Sequence, residues 1–259
     1  MTPNDQPRLE LARAAGLGLS GFEVWDSLAS TNNRARTLAE LGTERGWLVV
    51  ALEQTAGRGR RGAAWTSMAG EGVWMSLVLD EQDAIPQLPI LIGVACAEAL
   101  ENAAGVHVRV KWPNDLLIDE EKVGGILVER GHGWVVAGVG INVGGAPSLS
   151  ALEGESPVIR PTALSEHTKE RLTILPLAGE LARAVLTFLD AAERVPKIFE
   201  AFEARDALRG RGVRTEEHGP GIARGLDEDG MLLLELDDGS VRSVRSGSVR
   251  LMPQTGWEE

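Results

Sequence analysis

The residues best equipped for chemistry lie in four short segments. Ala56–Trp65 reads AGRGRRGAAW. Gly57, Gly59 and Gly62 lack side chains and tolerate positive φ, so backbone N–H groups can converge on an anion. Arg58, Arg60 and Arg61 add fixed charges whose forked donors suit a carboxylate or a phosphate. Three arginines so close together repel one another, which predicts a loop that stays mobile until an anion arrives. A solvated basic loop is the plainer alternative. The pattern is neither a P-loop, which needs Gly-Lys-Ser/Thr entering a helix, nor a dinucleotide fingerprint.

The second segment, Val110–Glu129, reads VKWPNDLLIDEEKVGGILVE. Pro113 sets a turn after Lys111 and Trp112, and Asn114 and Asp115 open the next strand. The spacing of Lys111 and Lys122 lets a tight hairpin bring both amines to one site, and Gly124 and Gly125 let a ligand approach the backbone there. Each residue also has an ordinary role: Trp112 in a core, Asp115 in a turn, Lys122 on an exposed hairpin. In Val135–Gly145, Asn142 is the one strongly polar side chain of a buried strand interrupted by Gly138, Gly140, Gly144 and Gly145. It either pins backbone, as at a β-bulge, or binds a ligand. Ser30, Thr31 and Asn32 stand where a helix begins. They suit helix capping first, but a helix N-terminus also holds a polar ligand head. His107, His132, His167 and His218 are spaced for neither zinc nor a Ser-His-Asp arrangement. Asp26, Asp115 and the run Asp119-Glu120-Glu121 are acids a magnesium ion could touch, although the run fits a solvated turn better.

The positioning elements follow from periodicity. Phe22–Leu28 alternates like a strand, and the segment from Ser30 to Gly42 has the frame of a helix. Trp47–Gln54 and Gly72–Asp80 predict buried strands that flank the arginine loop, and Leu88–Asn102 a helix. Short strands follow, with a hairpin turned at Gly131–Gly133. Ser148–Lys169 is a polar connection, and the next stretch predicts two helices broken near Pro196. After Arg209, short strands with Gly/Asp turns predict a small β-barrel. The organisation is therefore a flexible arm at 1–20, a catalytic domain at 21–207 and a small barrel at 208–259. The arm is too short for a DNA-binding module of ~50 residues.

Composition narrows the class. The 259 residues carry 43% hydrophobic and 25% charged side chains, ordinary values for a folded protein. No apolar run reaches the ~18 residues that cross a bilayer. A net charge of −12 disfavours a general nucleic-acid binder. A lone cysteine, Cys96, and no secretory leader predict a cytoplasmic protein.

In this order the segments resemble the biotin–protein ligase family: Ser30-Thr31-Asn32, Gly57–Gly62 with Trp65, Lys111–Leu116, Lys122 with Gly125-Ile126-Leu127, and Gly138–Val143. The C-terminal SGSVRL is similar to that family's last segment. The resemblance implies an α+β fold, with a mixed, mainly antiparallel sheet flanked by helices and a small C-terminal β-barrel. It implies that biotin and ATP give biotinyl-5′-AMP, whose acyl group passes to a lysine of a biotin carboxyl carrier domain of a carboxylase. It implies Ser30, Thr31, Asn32 and Gln54 at the biotin rings, with Gly57, Gly59, Trp65, Gly125 and Gly138 around the vitamin. Arg58, Arg60 and Lys122 would meet its carboxylate and the α-phosphate. Arg61, Lys111, Asn114 and Asn142 would face the nucleotide, Lys122, Arg60 and Asp115 would act in catalysis, and Mg²⁺ would accompany ATP. The sequence departs from the family at Ala63-Ala64 and at Trp74-Met75. Neither DNA nor a membrane is an expected partner, and the chain is expected as a monomer or homodimer. A lipoate ligase and a non-catalytic biotin or nucleotide binder are the alternatives.

Overall fold

The computed structural model describes residues 10–13, 16–149, 159–191 and 194–252. Among these, twelve strands form two sheets. The larger contains β1 (Gly21–Trp25), β2 (Trp47–Ala51), β3 (Gly72–Asp80), β4 (Arg109–Lys111), β5 (Asp115–Ile118), β6 (Glu121–Gly131) and β7 (Trp134–Asn142). Its order is β1-β2-β3-β7-β6-β5-β4, and only β1 and β2 run parallel. The smaller sheet, order β11-β10-β9-β8-β12, contains β8 (Gly212–Thr215), β9 (Gly219–Leu226), β10 (Leu232–Glu235), β11 (Val241–Val244) and β12 (Val249–Leu251). The expected mixed, mainly antiparallel fold is what forms. The segment read as a barrel is an antiparallel sheet whose end strands, β11 and β12, do not pair with each other.

Side chains alternate across a strand, so each face of the larger sheet has its own cover. Leu48 and Val50 of β2, Met75 and Leu77 of β3, and Ala137 and Val139 of β7 face the main core. There they meet α2 (Leu88–Ala104) and α3 (Ile174–Asp190). Helix α2 is apolar almost all round, as a helix enclosed by other elements must be. The opposite face carries Val49, Val78 and Val136, covered by Ala35 and Leu38 of α1 (Thr31–Glu40). Helix α1 covers only part of that face. The rest, beyond its N-terminus, is open.

Two sequence expectations change. Leu11 is wholly buried in the main core, so the N-terminal stretch is not loosely attached there. The break after α3 lies before Arg194. Pro196 sits in the first turn of α4 (Arg194–Glu203), where its missing N–H has no helical partner to lose.

The smaller sheet is fastened beside the site. The buried Trp112 indole N–H donates to the Gly230 carbonyl at 2.9 Å, and Gln87 Nε2 donates to the Glu228 carbonyl at 2.6 Å. Trp112→Phe leaves that buried carbonyl without its donor. Stability should fall by about 1–3 kcal/mol in denaturant unfolding, and an unchanged midpoint would show that the two sheets do not depend on this contact.

Candidate active site

A cleft of about 230 Å³ opens on the half of the sheet that α1 leaves uncovered. Its floor follows from the register. Ser76 of β3 pairs with Gly138 of β7, which pairs with Leu127 of β6; Trp74, Gly140 and Gly125 form the next row. At Gly138 a Cβ would lie 2.1 Å from Asn32 Oδ1, and at Gly140 it would lie 2.7 Å from the Trp65 ring. These glycines let the helix N-terminus and the indole come down onto the sheet.

One end of the cleft is neutral and polar. The backbone N–H of Thr31 donates to Gln54 Oε1 at 2.9 Å, its hydroxyl lies 3.1 Å from the same oxygen, and Gln54 Nε2 donates to Ser67 Oγ at 3.0 Å. Ser30 is the N-cap residue in extended backbone, but its side chain makes no capping hydrogen bond. The buried Ser76 hydroxyl donates to Asn32 Oδ1 at 2.6 Å and lies 2.8 Å from Thr31 Oγ1.

The other end is charged. Asp115 Oδ1 lies 2.7 Å from Lys122 Nζ, and Asp115 Oδ2 lies 3.2 Å from Lys111 Nζ. Burial works to raise the Asp115 carboxyl, but the two ammonium charges, Lys122 foremost, outweigh it and hold the group at about 2. Lys122 also lies 5.3 Å from the centroid of the Trp65 ring, which packs edge-on against Trp74. Arg60 reaches Asn114 Oδ1 at 3.1 Å. Among the described residues no carboxylate lies within ion-pair distance of it. Burial pushes its guanidinium below the ordinary value, against the pull of the Asp115 charge.

The arginine loop is a short hairpin. Trp65 N–H donates to Gly57 O at 2.9 Å, and Gly59 N–H to Ala63 O at 2.8 Å. Arg61 and Gly62 turn its tip with φ of +58° and +81°. The expected mutual repulsion is eased because the guanidiniums turn to different partners, although the Arg61 charge still disfavours that of Arg60. Arg58 pairs with Glu129 at 2.8 Å, Arg60 turns to Asn114, and Arg61 pairs with Glu216 of the smaller sheet.

The cleft therefore gathers Ser30, Thr31, Asn32, Gln54, Arg58, Gly59, Arg60, Arg61, Trp65, Lys111, Asn114, Asp115, Lys122, Gly125 and Gly138. Gly57 and Asn142 are not among its lining residues. Asn142 lies on the same face two residues beyond Gly140, and its amide donates to the Thr162 carbonyl at 2.9 Å. Of the two roles open to it from sequence, pinning backbone is the one this contact fills. Glu120 and Glu121 pair with Arg109, Arg211 and Arg160, so the acidic run belongs to a turn crossed by ion pairs. Sequence reasoning missed Ser76, although it is the only hydroxyl in a nine-residue apolar strand. It also missed Glu129, which carries no local signal, and although it singled out the SGSVRL segment it did not place that segment's Gly247, Ser248 and Val249 at the cleft.

Comparison with known proteins places the sequence and the fold. Residues 24–145 match the biotin/lipoate A/B protein ligase family, and residues 210–252 match the biotin protein ligase C terminal domain. The fold is similar to that of the biotin protein ligase from Aquifex aeolicus in complex with biotin and ATP, with a TM-score of 0.75 and 27% identity, over 90% of this chain and 99% of that one. The sequence is 37% identical over 221 residues to the biotin--[acetyl-CoA-carboxylase] ligase of Paracoccus denitrificans, covering 79% of this chain and 90% of that protein. It is 34% identical over 242 residues to the bifunctional ligase/repressor BirA of Bacillus subtilis, covering 87% of this chain and 72% of that protein. Fold and site thus define a ligase of the class that activates a carboxylic acid. Within that class, the chain belongs to the biotin protein ligase family.

Asp115→Asn would leave two ammonium groups facing each other, one of them on the buried Lys111, without an anion. Unfolding free energy at neutral pH should drop by about 3–5 kcal/mol. The folded carboxyl titrates below its ordinary value, so its contribution is present above pH ~4 and is lost as pH falls toward 2. Urea titrations of both proteins at pH 7 and pH 3 should show the gap narrowing at pH 3. A neutral-pH loss below about 1 kcal/mol would mean that the trio is no more than a surface ion pair.

Proposed function

We propose that this chain activates biotin with ATP as biotinyl-5′-AMP and transfers the biotinyl group to a lysine of a carboxylase's biotin carrier domain. The observation that carries the proposal is the convergence of Lys111 and Lys122 on one largely buried carboxylate, with Arg60 close enough to feel its charge, at one end of a cleft whose other end is neutral and polar. The ligands named for the Aquifex structure and the substrate class named for the Paracoccus relative support it. Catalysis is assigned to residues 21–207. Residues 208–259 support it by bringing Gly247, Ser248 and Val249 to the cleft and Glu216 to the loop. No helix among the described residues is long and apolar enough to cross a membrane, and a cytoplasmic setting belongs to the same proposal.

The neutral end suits a fused ring with amide-like edges. Both Asn32 amide protons are taken by Leu127 O and Glu129, so Asn32 offers a ligand only its remaining acceptor lone pair. The charged end suits the reaction. In the first step a carboxylate oxygen of biotin bonds to the α-phosphorus, and the bond to the bridging oxygen of the leaving pyrophosphate breaks. Two anions must approach. Each unit charge at 4 Å is worth about 4 kcal/mol at an effective dielectric near 20. Lys122 and Arg60 supply the opposing charge in fixed positions, where it also stabilises the transition state. In the second step the carrier amine attacks the acyl carbon, AMP leaves with the electron pair, and the amine sheds a proton. Asp115, held at about 2, is too weak a base for an amine with an ordinary pKa near 10.4; it orients the lysines instead. Mg²⁺ is assigned to ATP as its counter-ion. Among the described residues no three His, Cys, Asp or Glu side chains group to hold an ion, and Asp115 is engaged by two lysines.

Incubation with ATP and either biotin or lipoate tests the assignment. Biotin should yield an acyl adenylate and an ATP-dependent label on a purified carrier domain, and lipoate should yield neither. From Arg60→Ala the adenylate should dissociate at least about tenfold faster, the loss of one charge-assisted hydrogen bond. Labelling from lipoate instead of biotin would overturn the substrate, and an unchanged release rate would remove Arg60 from adenylate retention.

A further inference from the structure

Glu129 lies outside the cleft lining, on β6, yet it touches both halves of the site. Its Oε2 accepts from Asn32 Nδ2 at 2.8 Å, and its Oε1 accepts from Arg58 Nη2 at 2.8 Å. The Glu129 side chain is 20% exposed and its register partner on β7 is Val136, in the row next to the one that holds Gly138. We propose that Glu129 is a positioning residue that couples recognition of the vitamin's ring at Asn32 to the placement of the Arg58 side of the loop. The inference rests on the function proposed above and deepens it.

The hydrogen bonds are directional. A carboxylate can only accept, so it fixes Asn32 with its nitrogen toward β6 and its oxygen toward Ser76, where the hydroxyl donates at 2.6 Å. Gly138 leaves room for this orientation, since a Cβ there would stand 2.1 Å from Asn32 Oδ1. The amide is thus held in one orientation by hydrogen bonds from two strands, β6 and β3. The same carboxylate fixes one edge of the Arg58 guanidinium, whose other nitrogen donates to Asn33 Oδ1 at 2.8 Å, on the residue next to Asn32. A ligand that pulls on the Asn32 amide shifts the carboxylate that Arg58 meets at Glu129. A loop that closes on an adenylate acts back along the same path. Such linkage is reciprocal.

Glu129→Gln is close to isosteric. Its amide oxygen can still accept from Asn32, but its charge no longer holds Arg58. The test is a double-mutant cycle of Asn32→Ala and Arg58→Ala, read as the dissociation rate of biotinyl-5′-AMP and repeated in the Glu129→Gln background. With Glu129 present the two substitutions should be non-additive by roughly fivefold, a size ordinary for side chains in one network; in the Glu129→Gln background they should become additive. A residue with a purely structural role would lower stability without erasing the non-additivity. A second readout needs no substrate: Glu129→Gln should speed proteolysis within residues 57–65 of the ligand-free protein. Additivity in both backgrounds, or unchanged loop cleavage, overturns the proposal. A wild-type chain that makes no adenylate from biotin and ATP would refute the proposed function instead, and loop cleavage alone would then decide whether Glu129 holds Arg58.

Discussion

The site depends on one largely buried carboxylate shared by two amines. Asp115 sits at the start of β5, with Lys111 at the end of β4 and Lys122 near the start of β6. Three antiparallel strands joined by tight turns therefore deliver three charges to one point. Two like charges would not remain there unpaired, and one carboxylate among apolar neighbours would not remain ionised. Each makes the other stable. The assembled group carries a net positive charge next to Arg60, which is what the proposed reaction of two anionic substrates calls for. The same arrangement leaves Asp115 almost without basicity, which separates positioning from proton removal within the site.

A second constraint is access. A helix N-terminus and a tryptophan can rest on a sheet only where side chains are missing, and Gly138 and Gly140 supply the gap. The alternation of β3, β6 and β7 then divides labour between two faces. One face is apolar and closed under α2 and α3, and the other is half closed by α1 and half open to ligand. Rigidity of the floor follows from the closed face. The loop that covers the open half is built differently: its own hairpin bonds are few, and its arginines are held mainly by acids on other elements.

Much of this was legible in the sequence because it is local. Lys111, Pro113 and Asp115 lie within one turn, and Lys122 follows across a short hairpin, so their proximity needs little tertiary information. The continuous apolar runs of Gly72–Asp80 and Val135–Gly145 marked buried strands, and the ordered motifs pointed to the family. What stayed hidden depends on long-range topology. Arg58 meets Glu129 across 71 positions and Arg61 meets Glu216 across 155, and no spacing rule anticipates either. Asn142 looked equally suited to ligand or backbone until Thr162 was placed beside it. The arm read at 1–20 gave no sign of Leu11 in the core, because a single leucine needs only one vacancy in a core already built by others.

The central claim is that Lys122 stabilises charge in adenylation and does not merely bind substrate. The direct measurement is biotin-dependent exchange of pyrophosphate into ATP by Lys122→Gln, with biotin affinity determined on the same protein. Loss of a fixed charge aimed at the transition state should lower exchange by about 10²–10³-fold, while biotin affinity changes far less. Exchange near the wild-type rate, or a loss explained wholly by weaker biotin binding, would contradict the account.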